Sequence, residues 1–162
     1  MNVKKLVTLA LLLGAALIIF IVEAQLPPLT PIPGIKMGLA NIITLVVMVL
    51  YDRKSAFTVL ILRILLSGIF TGQAAGFIYS AAGGILSFCV MAVLYKFIKL
   101  NSLWAISVIG AAAHNTGQIL VAVLITQTPE IFYYLPLLII SAIITGAFTG
   151  ITAQLVLKRL LK

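Results

Sequence analysis

Only three acidic side chains, Glu23, Asp52 and Glu130, punctuate these 162 residues. Between them lie apolar runs long enough to cross a bilayer, which fixes the solvent before any fold is considered. A soluble domain carries about 25% charged residues; here the figure is 9%, with 63% hydrophobic. The chain therefore reads as one all-α integral membrane domain over residues 1–162, because a helix satisfies its own backbone in hydrocarbon and an open sheet does not. The net charge of +8 does not point to nucleic acid. The basic residues sit in short clusters between the apolar runs, as topology signals do.

A spanning helix needs about 20 mostly apolar residues. Six segments qualify: Leu6–Val22, Met37–Tyr51, Ser55–Phe70, Gly76–Tyr95, Leu103–Ile125 and Phe132–Leu157. The second is short and usable only if its start is buried in protein. The expected fold is a six-transmembrane-helix bundle. With alternating spans, nine of the eleven basic residues, from Lys4 and Lys5 to Arg159 and Lys162, fall on one side. Lys36 falls on the other side and Arg63 inside a span. The positive-inside rule then places both termini in the cytoplasm, N-in/C-in. Lys4-Lys5, an apolar stretch and Val22-Glu23-Ala24 also resemble a cleavable signal peptide. That stretch is about 17 residues against the usual 7–15, so a retained first span is expected.

Residues 25–36 contain Pro27, Pro28, Pro31, Pro33 and Gly34. Proline fixes φ and has no amide donor, which excludes a regular helix; a stiff cap over the outer face and a plain linker both fit. The 71–75 and 126–131 connections are short, so the third and fourth spans, and the fifth and sixth, should be antiparallel neighbours. Cys89, the single cysteine, is expected to be a small buried hydrophobe.

Small residues recur at turn spacing: Ala10 and Gly14 on the first span, Gly76, Ser80, Gly83 and Ser87 on the fourth, Gly146 and Gly150 on the sixth. Such stripes let membrane helices approach closely. Internal packing accounts for most of them, and Ala10–Gly14 fits equally a docking stripe for another membrane subunit. The stripe Ser141, Thr145, Thr149 and Thr152 is expected to bond back to its own helix.

Arg63 stands nine residues beyond Lys54, roughly 13 Å along the helix axis, near the bilayer middle. A charge there costs about 2.5–3.5 kcal/mol on the mildest scale and needs acceptors or a wet cavity. It serves either as a tie between helices or as a site for an anionic group. His114, Asn115 and Gln118 form a second constellation midway along the fifth span. His114 and Gln118 share a face, which Ser107, Gly110 and Ala111 extend with small residues. Glu23, Gln25, Lys36 and Gln73 lie at the outer ends, with Asn41 a turn inside. Together these residues imply a polar pocket open to the outside, without the polar groups along the whole route that a complete pore would carry.

The carboxylates are isolated in sequence, so no Mg²⁺ cluster is expected. No Gly-rich phosphate loop with a lysine is present, and one histidine does not make a His-based metal site. Catalysis by this chain alone, and any bound cofactor or metal, are not expected. Arg63, Lys36 and His114 favour a solute with an anionic or carbonyl group, and the apolar walls favour an aromatic or isoprenoid body. A scaffold without a ligand, its arginine satisfied structurally, is the competing reading.

Three motifs carry a family resemblance: Pro33-Gly34-Ile35-Lys36-Met37-Gly38-Leu39-Ala40-Asn41, Gly76-Phe77-Ile78-Tyr79-Ser80 with Gly83-Gly84, and Ala113-His114-Asn115-Thr116-Gly117-Gln118. The chain resembles the bacterial Gx transporter family, also labelled heptaprenyl diphosphate synthase component I. That family is similar to the S components of energy-coupling factor transporters. The resemblance implies six helices in a bacterial cytoplasmic membrane, a vitamin-like solute bound near the outer face, and reliance on a membrane scaffold and two cytoplasmic ATPases. In S components an Ala-xxx-Ala pattern on the first helix docks the scaffold, and Ala10-xxx-Gly14 is the nearest match. The heptaprenyl label implies instead an accessory, non-catalytic role beside a soluble prenyl synthase.

Overall fold

The computed structural model describes residues 2–26, 35–72, 74–98 and 102–161. Gln73 and most of the Pro-rich 25–36 connection lie outside the described residues. The described residues form six α-helices: α1 (Val3–Gln25), α2 (Asn41–Leu50), α3 (Arg53–Thr71), α4 (Ala74–Leu94), α5 (Leu103–Thr126) and α6 (Leu135–Leu160). Five are long and apolar enough to span a membrane, and α2 is not.

The second span is the main correction to the sequence reading. It was expected to start near Met37, but the helix begins at Asn41. Residues 35–38 have no regular secondary structure and a turn follows at 39–40, with Gly38 at φ +80. The ten residues of α2 reach about 15 Å at 1.5 Å per residue, half of a hydrocarbon core of about 30 Å. Non-helical backbone of this kind is tolerated in a membrane protein only when other protein groups enclose it. Enclosure is what the structure provides: Ile35, Ala40 and Asn41 are all buried. The sixth helix is also displaced. A 3-10 turn, Pro129–Tyr134, precedes it, so α6 starts at Leu135 and runs to Leu160 instead of Phe132–Leu157.

α2 is the hub. It touches each of the other five helices, whereas α1 touches only α2 and α3. Its Leu45, Val47 and Met48 are enclosed in a core that includes Val59, Met91, Ile106 and Leu157. The outer helices form an arc in which α3–α4, α4–α5 and α5–α6 are neighbours, including the two pairs that the short connections imply. α5 and α6 approach most closely because Gly146 and Gly150 have no side chain. A Cβ on Gly150 would lie 2.5 Å from Trp104 Cα, and one on Gly146 2.6 Å from Val108 Cα. By contrast Cys89, expected inside, is exposed on the outer surface; its turn of α4 faces away from the neighbours that Gly83 and Ser87 meet.

The basic end of the bundle is fastened by Asp52. Its carboxylate caps α3 by accepting from Ser55 N (2.7 Å) and takes a 2.7 Å ion pair from Lys5 Nζ, tying the start of α1 to the start of α3. Gly72, at φ +63, closes the far end of α3 in the left-handed cap conformation. The Lys5 ammonium, then the Ser55 amide, hold the Asp52 carboxyl at about 2, below its ordinary 3.8. A depressed carboxyl stabilises the fold fully above its unfolded value and ceases to as the pH falls through its native one. Asp52→Asn should therefore melt below wild type at neutral pH, with the difference shrinking as the pH approaches 2; thermal unfolding of the detergent-solubilised protein across pH reads this. A second expectation separates two glycines. Gly150→Leu should destabilise by about 1–3 kcal/mol through overpacking. Gly14→Ala should leave the melting temperature unchanged, because a Cβ there meets nothing within 4 Å.

Candidate functional site

Four elements bring the polar residues together where α2 is interrupted. The non-helical segment before α2 has backbone N–H groups with no helical partner, and side chains supply acceptors. Glu23, on the last turn of α1, accepts from Gly38 N through Oε1 at 2.6 Å. Gln118, on α5, accepts from Lys36 N through Oε1 at 2.9 Å. That second bond settles the Gln118 amide orientation. Its nitrogen then faces His114 Nε2 one turn away and donates to it, which leaves the ring proton on Nδ1. His114 is held in a fixed orientation, between Gly38 on one side and Gly83 of α4 on the other. A Cβ on Gly38 would lie 2.7 Å from the ring Cδ2, and one on Gly83 2.8 Å from Nδ1.

Arg63 enters the same region from α3, only 4% exposed. Its terminal NH2 group packs over Gly84, 3.3 Å from where a Cβ would be. Its Nε has no hydrogen-bond partner among the described residues. Glu23 lies within electrostatic reach of both Arg63 and Lys36. Yet Lys5–Asp52 is the one ion pair formed among the described residues. Glu23 instead accepts from the Gly38 amide, and Arg63 keeps an unmet donor at Nε among the described residues. Lys36 lays its ammonium over the Phe20 ring, 3.3 Å from the centroid, a cation–π placement that costs it no anionic partner.

Of the residues expected at the site, Glu23, Lys36, Asn41, Arg63, His114 and Gln118 converge here. Asn115 does not: it turns to α6 and donates to the Leu138 carbonyl at 2.7 Å. Gln25 is exposed, and Gln73 lies outside the described residues. The hydroxyl stripe of α6 bonds back to its own helix, Thr145 to Ser141 O and Thr149 to Thr145 O, each at 2.8 Å. Three glycines carry more of the geometry than their sequence pattern announces. Gly38, Gly83 and Gly84 give His114 and Arg63 the space they fill, and the only signal was their clustering near polar motifs.

The expected docking pair lies elsewhere. Ala10 is exposed, Gly14 meets no neighbouring atom, and a groove of about 270 Å³ runs past Ala10 between α1 and α3, lined by Leu9, Leu13, Val59 and Leu62. Unlike the stripes on α4 and α6, this one is not used by the bundle itself.

Gly38→Ala tests the local geometry. A left-handed backbone costs an L residue about 1–2 kcal/mol, and the new methyl would also push the His114 ring. A loss of at least that size in equilibrium unfolding is expected, together with a changed ring environment by nuclear magnetic resonance of labelled histidine.

Comparison with family models matches residues 12–156 to the family described as heptaprenyl diphosphate synthase component I. No curated protein and no solved structure matches the chain. With nearly its full length aligned to that model, the chain belongs to the heptaprenyl diphosphate synthase component I family.

Proposed function

We propose that this chain is a membrane-embedded binding subunit that holds the anionic group of a small solute at Arg63, in a site entered from the outer face. It acts as an S-component-like part of an energy-coupling factor type uptake transporter. The observation that carries the reading is the buried Arg63, whose Nε lacks an acceptor among the described residues while Glu23 accepts from the Gly38 backbone. A guanidinium kept in hydrocarbon without acceptors is costly, and an oxyanion offers the paired acceptors it is shaped for. The uncovered Ala10–Gly14 stripe on the most peripheral helix supports a second membrane protein, a scaffold bearing cytoplasmic ATPases, packing there. The one-sided distribution of lysine and arginine supports cytoplasmic termini and a bacterial cytoplasmic membrane.

A second reading draws on the family's name. As a non-catalytic membrane component of a prenyl diphosphate synthase, the chain would present Arg63 to a diphosphate and its apolar surfaces to an isoprenoid chain. The two readings share the anion site and differ in the partner.

Mild-detergent purification of the tagged protein from its native membrane, with partners identified by mass spectrometry, separates them. A membrane scaffold with ATPases is the expected result, and a soluble prenyl synthase in its place would overturn the transport reading. Arg63→Leu should fold, since apolar replacement of a buried charge is often neutral or stabilising, and should lose any stabilisation by anions.

A further inference from the structure

Asn41 is the first residue of α2, 6% exposed, with neither its amide nitrogen nor its amide oxygen hydrogen-bonded among the described residues. It lines a cavity of about 10 Å³ with Gly38, Ile42, Ser107, Thr145 and Thr149. The hydroxyls around it are already engaged: Ser107 shares a hydrogen bond with Thr149 at 3.0 Å, and Thr145 and Thr149 bond back to their own helix. Asn41 alone presents a free donor and a free acceptor. The cavity adjoins the arginine cluster through Gly38, whose absent side chain leaves Asn41 Nδ2 and the His114 ring flanking one backbone position, 3.1 and 2.7 Å from where a Cβ would be.

We infer that Asn41 is a specificity determinant of the same site, reading a neutral donor–acceptor tip, a hydroxyl or an amide, on a solute whose anionic group lies at Arg63. This rests on the anion-site reading and narrows the solute class. The volume admits about one water-sized group, which excludes a second carboxylate or phosphate at this end. A charged tip would also meet no countercharge there, because no charged side chain lines the cavity among the described residues. A tip that only donates or only accepts would leave half of the amide unmade in a water-poor site, where an unmade hydrogen bond discriminates strongly.

The full-length protein in detergent tests this with benzoate and the three hydroxybenzoate isomers at millimolar concentration, read as shifts in melting temperature. At least one hydroxybenzoate should protect wild type more than benzoate does. Asn41→Leu should erase that increment and keep the benzoate response, and Arg63→Leu should lose both. Equal protection by benzoate and every isomer, or an increment that survives Asn41→Leu, overturns the inference and leaves the anion site standing. No protection of wild type by any of these anions overturns the anion site and the inference with it. Without ligand, Asn41→Leu should melt at or a few degrees above wild type, since an unpaired amide is replaced by an apolar side chain of similar size. A fall of several degrees in both this variant and Asn41→Ala, which cannot overfill the cavity, would make Asn41 a structural residue and overturn its assignment as a reader of solute.

Discussion

The rest of the structure depends on the interruption before α2. A chain crossing hydrocarbon must satisfy each backbone amide, and here the helix that would do so is missing over residues 35–40. Its place is taken by two long polar side chains from different helices, Glu23 reaching to Gly38 and Gln118 to Lys36. That substitution has consequences beyond the loop. Because Gln118 gives its oxygen to Lys36, its nitrogen is committed to His114. Glu23 accepts from Gly38 through Oε1, and it forms no ion pair with Arg63 among the described residues. The backbone defect thus orders the polar cluster.

The interruption also explains why the shortest helix is the hub. A half-length α2 has no outer half to pack, so the five longer helices enclose it at the basic end with Leu45, Val47 and Met48. Where it ends, they enclose the polar segment. Glycines decide how near they come. Gly146 and Gly150 bring α6 against α5, and Gly83 brings α4 against His114. Dispersion between such close backbones replaces the hydrophobic effect that lipid cannot supply between helices. α1 has no part in this tight packing: it meets only α2 and α3 and presents its small-residue stripe outward.

Much of this was legible in the sequence. Length and hydropathy located the five long helices to within a few residues, since lipid makes the apolar run itself the determinant. The convergence of Glu23, Lys36, Arg63, His114 and Gln118 followed from their depth and from the cost of placing such groups in hydrocarbon. What the pattern hid was set by tertiary contact. Residues 37–40 read as part of an apolar helix, because nothing local forbids one; the non-helical course of the segment from Lys36 to Gly38 is met by acceptors from Gln118 and Glu23. Asn115 shares a motif with His114 but not a direction, since successive residues on a helix point to different neighbours. Cys89 is apolar enough for either side of a membrane helix, so composition could not place it.

Arg63 and Asn41 sharpen the functional argument, since each is a buried polar group held short of its hydrogen bonds. Folding alone does not favour that state: a leucine or methionine of similar volume would be no worse in hydrocarbon. A structural tie would show its partners, as Asp52 does with Lys5 and Ser55. Asn41 adjoins the segment fastened by side chains rather than by a helical ladder, and the His114 ring, whose Nδ1 also has no partner among the described residues, packs against that segment at Gly38. Unmet donors of this kind fit the proposed site, in which the remaining bonds would form on ligand entry, with binding energy recovered from groups that the fold leaves incomplete.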